Sequence, residues 1–583
     1  MTVVPRLVLS APSSGHGKSA LAIGLLAALA ERDLPVVGFK IGPDPVDAAY
    51  LGLAAGRPGR NLDPNLVGPQ RLGQLFAHGA ADAGFALVQG TMGLYDSVSG
   101  RPEEESTAAV AAALRSPVVL AVDVSAMGQS VAALVHGFRS YDEQVWLGGV
   151  ILTQVASSRH ESMLRDALDD VGVPVYGALR RHELPPVLPS RRYGVVPALR
   201  REAEVLRAVR RLGEAAAGTV DLDRLLVLAR SAPRLAAEPA LVASASLAAE
   251  PARASLAAGP TRAVPAAGPA PAGGSPPTSV LPLSAGVAPA GAEPTRPLPA
   301  AEGGEATVVV ETIGSARPVG AAVAAVTDPA AVTDPAAVAG VTDLAAVGGA
   351  AGPAGVVPGA VGGERTVALA AGPPGAVAGA ARPVVALAGG PGGSYSYPET
   401  AELLRAAGAE VVLVDPLRDE KLPPGTRALV VGGGLPESYA EQLSANRRLC
   451  IAVAELARTG RPVLAEGAGL LWLARDLDGL PMCGVLDATA TRRDGLVVGY
   501  RRATSRADSV IAASGAVLTG YKQHSAVLTP RAGRQPAWSW DGGAPEGFVW
   551  RGVHASQLTL HWAADPGIAA RLVAAAAAPD APR

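Results

Sequence analysis

The sequence predicts an α/β protein with two doubly wound domains joined by a long linker. Short and almost continuous apolar runs alternate with helical patterns at both ends of the 583-residue chain. A Gly-Lys-Ser loop directly follows the first apolar run. The middle of the chain has neither pattern and is rich in Ala, Pro and Gly.

Residues 1–232 are predicted to form the first domain, a P-loop ATP-binding domain. Parallel strands that are covered on both faces have apolar residues at nearly every position. Six runs of this kind are RLVLSA, LPVVGFKIG, FALVQG, SPVVLAVDV, LGGVILTQV and GVPVYGAL. Helical patterns such as KSALAIGLLAALAER separate them, which predicts a parallel sheet with helices on both faces.

Residues 233–380 are predicted to be a disordered, low-complexity linker. They carry few bulky apolar side chains to offset the loss of chain entropy on folding. A short repeat, Val326–Ala331 followed by Val332–Ala337, is too short and too rich in Pro for a solenoid unit. A small Ala-rich helical subdomain is the alternative.

Residues 381–577 are predicted to form the second domain. RPVVALAGG, AEVVLVDPL and RALVVGGG predict strands, and YPETAELLRAAGA and ESYAEQLSANRRLCIAVAELARTG predict helices. RPVLAEGAGLLWLARDL predicts a strand, a tight turn and a helix. A strand, turn and helix of this kind is where a nucleophile elbow would lie.

Composition excludes several classes of function. The net charge of −2 gives no global attraction to nucleic acid or to anionic lipid, so neither is expected as a partner. The N-terminal apolar run leads straight into a glycine loop and is expected to be a strand rather than a signal peptide, and no run is long enough for a membrane span, so a cytoplasmic location is expected. Two cysteines, Cys450 and Cys483, cannot make a disulfide framework.

The segment Ala11–Ser19, APSSGHGKS, has the features of a phosphate-binding loop. Gly15 and Gly17 let backbone N–H groups approach phosphate oxygens, Lys18 can neutralise phosphate charge, and the Ser19 hydroxyl can bind Mg²⁺. Pro12 replaces the first glycine of the general pattern. The alternative is a glycine-rich turn in a fold that binds no nucleotide.

A second polar cluster follows the next predicted strand. Lys40, Asp44 and Asp47 stand at the carboxyl end of that strand, where a doubly wound sheet brings them close to the phosphate loop. Their charges suit Mg²⁺ binding and phosphoryl transfer. Taken alone, they could equally belong to a solvated loop.

Longer motifs resemble one family. KIGPDPVDAAYLGLAAGRPGRNLDPNLVG, VQGTMGLYDS, PVVLAVDVSAMGQSVAALVHGF, GGVILTQV and LPSRRYGVVPA resemble the N-terminal domain of the cobyrinate or hydrogenobyrinate a,c-diamide synthases. SYSYPETAELLRAAGAEVVLVDPLRDEKLP, VVGGGLPESYAEQLSANRRL, RPVLAEGAGLLWL and VHASQLTLHW resemble that family's class I glutamine amidotransferase-like domain. The resemblance covers nearly everything outside the linker, in the right order.

The resemblance implies an ATP-dependent amidation in cobalamin biosynthesis. The first domain, related to dethiobiotin synthetase, would bind ATP, Mg²⁺ and a corrin and would activate the a and c acetate carboxylates. The second domain would release ammonia from glutamine. Asp44, Asp47 and Asp96 are carried over as catalytic residues, and Lys18, Ser19 and Lys40 are retained as well.

Two departures fall on the nucleotide side. Gln89 stands where the family has a Glu, so the predicted metal ligands are Ser19, Asp44 and the neutral amide of Gln89. Thr153 stands where the family has an Asn near the adenine, and it is retained as a predicted nucleotide contact.

Other departures fall on the glutaminase side. The family's AECGG elbow is Ala465–Gly469 here, so Gly467 occupies the nucleophile position and offers no thiolate. The closing segment keeps His561 but has Thr559 in place of the other His. His561 is the remaining candidate for a catalytic base, with a structural role as the alternative. The turn at residues 432–434 resembles the oxyanion side of glutaminases.

Arg57, Arg60 and Asn61 have two interpretations. They could bind carboxylates of a polyanionic corrin, because Arg pairs well with carboxylates, or they could form a structural turn.

Three functions follow from these residues. The first is a working a,c-diamide synthase that uses free ammonia or ammonia from a partner. The second is a catalytically impaired paralogue that binds nucleotide or corrin as a regulator or scaffold. The third is an amidotransferase for another tetrapyrrole carboxylate. The sequence leaves open whether the corrin contains cobalt, and whether the chain forms a homodimer.

Overall fold

In the computed structural model, the described residues are 3–98, 100–183, 202–237, 241, 382–390 and 396–579. The LPSRRYGVVPA motif (188–198) and nearly all of the predicted linker lie outside them. The side chain of Leu235 is buried in the core of the first domain, so the chain as far as this residue packs against that domain. Below, the N-terminal part means residues 3–241 and the C-terminal part means residues 382–579.

The N-terminal part contains the predicted parallel sheet. Its seven strands are all parallel and follow the order β3-β2-β4-β1-β5-β6-β7. The bounds are β1 Arg6–Ser10, β2 Val36–Ile41, β3 Arg60–Leu62, β4 Phe85–Gln89, β5 Val118–Asp123, β6 Leu147–Val155 and β7 Val175–Arg180. Six of the seven coincide with the predicted apolar runs, and the short β3 is the addition.

Helices cover both faces of this sheet. They are α1 Lys18–Ala30, α2 Pro45–Ala55, α3 Pro64–Val67, α4 Pro69–Gly79, α5 Pro102–Glu105, α6 Thr107–Ala113, α7 Ser130–Tyr141, α8 Ser158–Asp170, α9 Glu202–Thr219 and α10 Leu222–Arg230. One apolar core packs α1, α2, α9 and α10 on one face, and a second core packs α4, α6, α7 and α8 on the other. The doubly wound architecture is therefore confirmed for this part.

The C-terminal part has a second, mainly parallel sheet. Its strand order is β17-β18-β11-β10-β8-β9, and only β17 runs antiparallel to its neighbour. The bounds are β8 Val384–Ala388, β9 Glu410–Val414, β10 Thr426–Val431, β11 Val463–Glu466, β17 Phe548–Trp550 and β18 Val553–Ser556.

A mixed sheet that the sequence analysis did not predict packs beside it. The sheet consists of β12 Asp476–Leu477, β13 Leu480–Pro481, β14 Thr489–Ser505, β15 Val517–Thr529, β16 Trp538–Ser539 and β19 Leu558–Leu560. Its centre is the long antiparallel pair β14 and β15. Half-exposed strands with many Arg residues have no continuous apolar run, so the pattern that predicted the parallel strands is missing here.

The helices of this part are α11 Pro398–Ala406, α12 Ala440–Ala445, α13 Arg447–Arg458, α14 Leu470–Leu473 and α15 Gly567–Ala577. The stretch from Glu437 to Gly460 is split rather than continuous. Asn446 interrupts it, because its side chain accepts a hydrogen bond from Leu449 N and caps α13. Cys450 and Cys483 are buried and free.

The two parts of the chain meet through buried polar contacts. Arg60 of β3 donates to Glu399 Oε1 at 2.7 Å and also pairs with Glu402, both on α11. Tyr500 Oη donates to Asp63 Oδ2 at 2.8 Å. Contacts of this kind join N- and C-terminal residues into one compact unit. In the described part of the chain, no helix is both long and apolar enough to cross a membrane.

Candidate functional site

The phosphate loop lies between β1 and α1. Gly15 and Gly17 adopt left-handed backbone angles, with φ of 95° and 84°, which a side chain would disfavour. Lys18 folds back over the loop and donates from Nζ to Ser13 O at 2.8 Å. The loop is therefore held in a curved form with its N–H groups at the start of α1.

The pKa of Lys18 is lowered to about 8, first by burial and then by the nearby positive charge of Lys40. Asp96 and Asp47 oppose this shift. A bound polyphosphate would compensate the two cations, because opposite charge favours the protonated form. The site is thus electrostatically suited to an anion.

Ser19, Asp47 and Gln89 form a hydrogen-bonded triangle beside the loop. Gln89 Nε2 donates to Ser19 Oγ at 2.9 Å and to Asp47 Oδ2 at 2.8 Å, and Ser19 Oγ lies 3.3 Å from the same Asp47 oxygen. Lys40 Nζ is 3.0 Å from Asp47 Oδ2 and donates to Gly90 O at 3.0 Å. Four predicted residues are therefore brought together.

Asp44 caps a helix beside this cluster, and its predicted role as a metal ligand stays a prediction. Its carboxylate accepts a hydrogen bond from Val46 N at 2.8 Å and caps α2. Of the two aspartates, it is Asp47 that contacts Ser19, because it lies one helical turn further along α2. Both line the same cavity, of about 560 Å³, together with Lys18 and Lys40.

The donor set can be tested for a cation. Gln89 Oε1 is buried and has no hydrogen-bond partner among the described residues, so an acceptor oxygen is available next to Ser19 and Asp47. A half-turn of the amide would point this oxygen towards the Ser19 hydroxyl and the Asp47 carboxylate. Oxygen donors are the ligands that Mg²⁺ prefers, so these residues fit such an ion.

Thr153 contacts the phosphate loop, and Asp96 lies close enough to act electrostatically on Lys18. Thr153 Oγ1 donates to His16 O at 3.3 Å, and Asp123 N donates to His16 Nδ1 at 2.8 Å. Burial lowers the pKa of His16, in keeping with a ring nitrogen that accepts a hydrogen bond. Asp96 Oδ2 accepts from Gly93 N at 2.7 Å. Thr153 thus contacts the loop backbone, and its predicted contact with a nucleotide stays a prediction.

Arg60 and Asn61 have structural partners. Arg60 is buried against Glu399 and Glu402, and Asn61 Nδ2 donates to Gly42 O at 2.7 Å and to Asp44 O at 2.9 Å. The guanidinium of Arg60 is already paired inside the protein, which favours the structural interpretation, and its contact with a substrate carboxylate stays a prediction. Asn61 holds the loop that carries Asp44 through these two hydrogen bonds. The sequence alone does not predict this role, because it depends on the folded position of the loop.

The nucleophile elbow is present without a nucleophile. Gly467 follows β11 and has a φ of 58°, the left-handed angle that a strand-to-helix elbow requires. A Cβ atom at this position would lie 2.7 Å from Thr559 Oγ1 and 3.6 Å from Gly433 Cα. Thr559, rather than His561, therefore faces the vacated position.

A small cavity opens at the elbow. It measures about 50 Å³, and its wall includes Gly467, Thr559 and Gln523 from the C-terminal part and Pro45 and Val46 from α2. Val46 also lines the cavity of about 560 Å³ that contains Lys18, Lys40 and Asp47, which is called the nucleotide cavity below. The elbow cavity and the cavity beside the phosphate loop therefore share Val46, at the start of α2, as a wall residue.

His561 is buried away from this cavity. Its ring stacks on Tyr397 with centroids 4.3 Å apart, and Nε2 is 3.8 Å from Glu399 Oε2. Neither ring nitrogen has a hydrogen-bond partner among the described residues. Burial lowers the pKa of His561 and keeps the ring neutral. A catalytic role for His561 stays a prediction, and its surroundings favour the structural alternative.

Two family models match the chain. Residues 7–191 match the CobQ/CobB/MinD/ParA nucleotide binding domain, and residues 394–566 match the CobB/CobQ-like glutamine amidotransferase domain. The chain is 44% identical over 576 residues to the hydrogenobyrinate a,c-diamide synthase of Streptomyces coelicolor, covering 98% of this chain and 97% of that one. It belongs to the a,c-diamide synthase family.

Other members of the family are also similar. The hydrogenobyrinate a,c-diamide synthase of Thermobifida fusca is 37% identical, over 98% of this chain and 97% of that one. The cobyrinate a,c-diamide synthase of Syntrophotalea carbinolica is 30% identical, over 98% of both chains. Like the family, the chain combines a nucleotide-binding domain with an amidotransferase-like domain, and the predicted fold class is confirmed.

Proposed function

We propose that the protein is an ATP-dependent amidoligase that converts the a and c acetate carboxylates of hydrogenobyrinate or cobyrinate into amides. One observation carries the proposal. Lys18, Lys40, Ser19 and Asp47 lie around one cavity, whereas the elbow at Gly467 has no nucleophile. The nitrogen would therefore come from free ammonia or from a partner that releases it.

The nucleotide cavity has the groups that carboxylate activation needs. A carboxylate is a poor electrophile, and ATP would supply the phosphoryl group that turns one of its oxygens into a leaving group. Lys18 and Lys40 would hold and neutralise the phosphate oxygens. Ser19, Asp47 and Gln89 would hold Mg²⁺, which would supply positive charge to neutralise the phosphates.

The elbow cavity supports the ammonia step. Val46 belongs to its wall and to the wall of the nucleotide cavity. Ammonia that reaches the elbow would be separated from the activated carboxyl by the start of α2. An enclosed route past Val46 would favour attack by ammonia over attack by water.

The experiment is amidation of hydrogenobyrinic and cobyrinic acid by the purified full chain. ATP and Mg²⁺ are present, the nitrogen source is either glutamine or ammonium, and products are identified by mass spectrometry. Ammonium-dependent product without glutamine-dependent product is the expected result. Product from glutamine alone would require a nucleophile other than residue 467.

A second candidate function rests on Gln89. A neutral amide in place of a carboxylate weakens the charge available to a metal ion, and the elbow is degenerate as well. Nucleotide binding without product from either nitrogen source would favour a regulatory or scaffold protein.

A further inference from the structure

A groove runs along the exposed face of α2, on the side away from the phosphate loop. Pro45, Ala49, Gly52, Leu53 and Gly56 recur at helical spacing and are partly or fully exposed. With the loop after α2 and with residues 396–398, they enclose a cavity of about 400 Å³. We call this cavity the α2 groove.

The α2 groove has an apolar floor made of small residues. A Cβ atom on Gly52 would lie 2.6 Å from Gly59 N, and one on Gly59 would lie 1.9 Å from Ala48 O. The two glycines therefore let the loop press against the helix. The floor therefore consists mainly of Ala, Gly and Pro residues, and Leu53 is its largest aliphatic side chain.

Polar groups stand at the rim of the groove. Arg57 is the one charged residue among the described residues of the lining. It anchors one guanidinium nitrogen on Ala81 O at 3.2 Å, which holds the head group at the edge of the groove. Ser396 Oγ, on the opposite wall, is buried and has no hydrogen-bond partner among the described residues.

The groove is connected with the nucleotide cavity. Pro45 lines the groove, and its neighbours Asp44 and Val46 line the nucleotide cavity. Asn61 also lines the groove and holds the Gly42–Asp44 loop through two hydrogen bonds. A ligand in the groove therefore lies across the first turn of α2 from Lys18 and Lys40.

We infer that the α2 groove binds the corrin macrocycle by one apolar face, with Arg57 pairing with a peripheral carboxylate. A corrin has methyl-covered faces and acetate and propionate groups at its edge, which match an apolar floor with a single cation at the rim. One acetate group would then reach over the start of α2 towards the phosphate loop. The inference rests on the proposed function and names where its substrate lies.

The groove is tested in the full chain with three variants. Leu53→Glu places a negative charge on the apolar floor, Ala49→Trp fills the groove, and Arg57→Gln removes the cation. Val227→Glu is the matched control, because Val227 is an exposed apolar residue on α10, outside the groove. Melting temperature and ATP binding establish that each variant is folded.

Three constants are measured. Spectral titration gives the Kd of hydrogenobyrinic acid, and kinetics with ammonium as the nitrogen source give the KM values for the corrin and for ATP. We expect each groove variant to raise the Kd and KM of the corrin about 10-fold or more. The KM for ATP should stay within about twofold, and Val227→Glu should leave all three values unchanged.

The outcomes separate the inference from the proposed function. Corrin constants within twofold of the wild type in all three folded variants would overturn the groove, even if amidation proceeds. A wild-type chain that binds the corrin but makes no amide would end the proposed function, while the Kd values of the variants would still decide the groove. A change of oligomeric state without a change in corrin Kd would assign the groove to a contact between copies and overturn the inference.

Discussion

Single glycines around the elbow have very different tolerance for a side chain. A Cβ atom on Gly467 would clash with the Thr559 hydroxyl, which can rotate away, and would touch Gly433 Cα at an ordinary contact distance, although the left-handed φ of 58° remains unfavourable. A Cβ atom on Gly469 would lie 2.1 Å from the backbone oxygen of Gly432. The backbone there cannot yield as a side chain can.

We therefore expect Gly467→Ala to lower the free energy of unfolding by about 1 kcal/mol and Gly469→Ala by more than about 3 kcal/mol. Urea unfolding of both variants beside the wild type measures the difference. Equal losses would mean that the elbow backbone is not held as described.

Gln89 is the residue whose replacement should change metal dependence. Gln89→Glu puts a second carboxylate next to Asp47 and should lower the melting temperature in the absence of divalent ions, because like charges repel. Mg²⁺ with ATP should reverse the loss and stabilise Gln89→Glu more than the wild type. Gln89→Met is the uncharged control. A melting temperature of Gln89→Glu that does not respond to Mg²⁺ would speak against a cation at this place.

Glu466 makes stability depend on pH. Burial raises its pKa to about 8, although Trp562 Nε1 and a backbone N–H favour the ionised form. A raised folded-state pKa means that the neutral acid is fully stabilising below the ordinary pKa of about 4.5, and that this stability is lost as the pH rises towards 8.

Glu466→Gln stays neutral and can still accept the hydrogen bond from Trp562. We expect it to match the wild type near pH 4 and to exceed it by about 2–4 kcal/mol at pH 9. Denaturant unfolding at both pH values measures this. A constant difference between the two proteins across the pH range would contradict the assignment.

At the scale of elements, β3 and α11 are joined by a buried ion cluster. Arg60 pairs with Glu399 and Glu402, and His78 Nε2 lies 2.9 Å from Glu402 Oε2. Burial opposes ionisation of Glu402, but the hydrogen bonds from His78 and Arg60 prevail and lower its pKa to about 2. Its contribution to stability is therefore present above about pH 4.5 and is lost as the pH falls towards 2.

Arg60→Met should cost about 3–5 kcal/mol, because it leaves Glu399 buried without its cation. Arg60→Met/Glu399→Met should recover a large part of this loss, since both charges are then removed. Melting curves of the single and double variants, with Arg101→Met as an exposed control, test the coupling. A double variant as unstable as the single one would place the cost elsewhere.

Elements differ in how far the sequence predicts them. The strands of the first sheet are buried on both faces, so each is an apolar run, and all six predicted runs are confirmed. The strands β14, which carries four Arg residues, and β15, which mixes polar and apolar residues, are partly exposed, so neither has a continuous apolar run. The split at Asn446 depends on a side-chain cap, which propensity alone does not locate.

The candidate site shows the same division. Lys18 and Ser19 follow from a loop motif after β1, and Lys40 and Asp47 follow from the polar residues at the carboxyl end of β2; both signals are local in sequence. The partners of Arg60 are more than 330 residues away along the chain, so no local pattern identifies them. That Thr559 faces Gly467 likewise becomes visible only when β19 lies beside β11.

At the scale of the whole molecule, ATP binding to the N-terminal part should raise the melting temperature of the C-terminal part. Five of the six tryptophans belong to the C-terminal part, and Trp146 → Phe would remove the sixth. ATP with Mg²⁺ at about 100 times its Kd should then raise the fluorescence-monitored melting temperature by about 5 °C, although it binds in the N-terminal part.

Arg60→Met in the Trp146→Phe background should reduce this shift, because it weakens the contact between the two parts. Calorimetry on the same samples should give one transition for the parent protein. Two separate transitions, with only one moved by ATP, would contradict the coupling.

The buried pairing of Arg60 with α11 has an evolutionary consequence. A mutation at the elbow removes a reaction but leaves the fold intact, whereas a deletion of the C-terminal part would leave Arg60 without the carboxylates that neutralise it. Selection can therefore release the chemistry of an elbow much more easily than the polypeptide that carries the elbow. A lineage that takes its ammonia from elsewhere would still keep the C-terminal part, because the N-terminal part needs its carboxylates to neutralise Arg60.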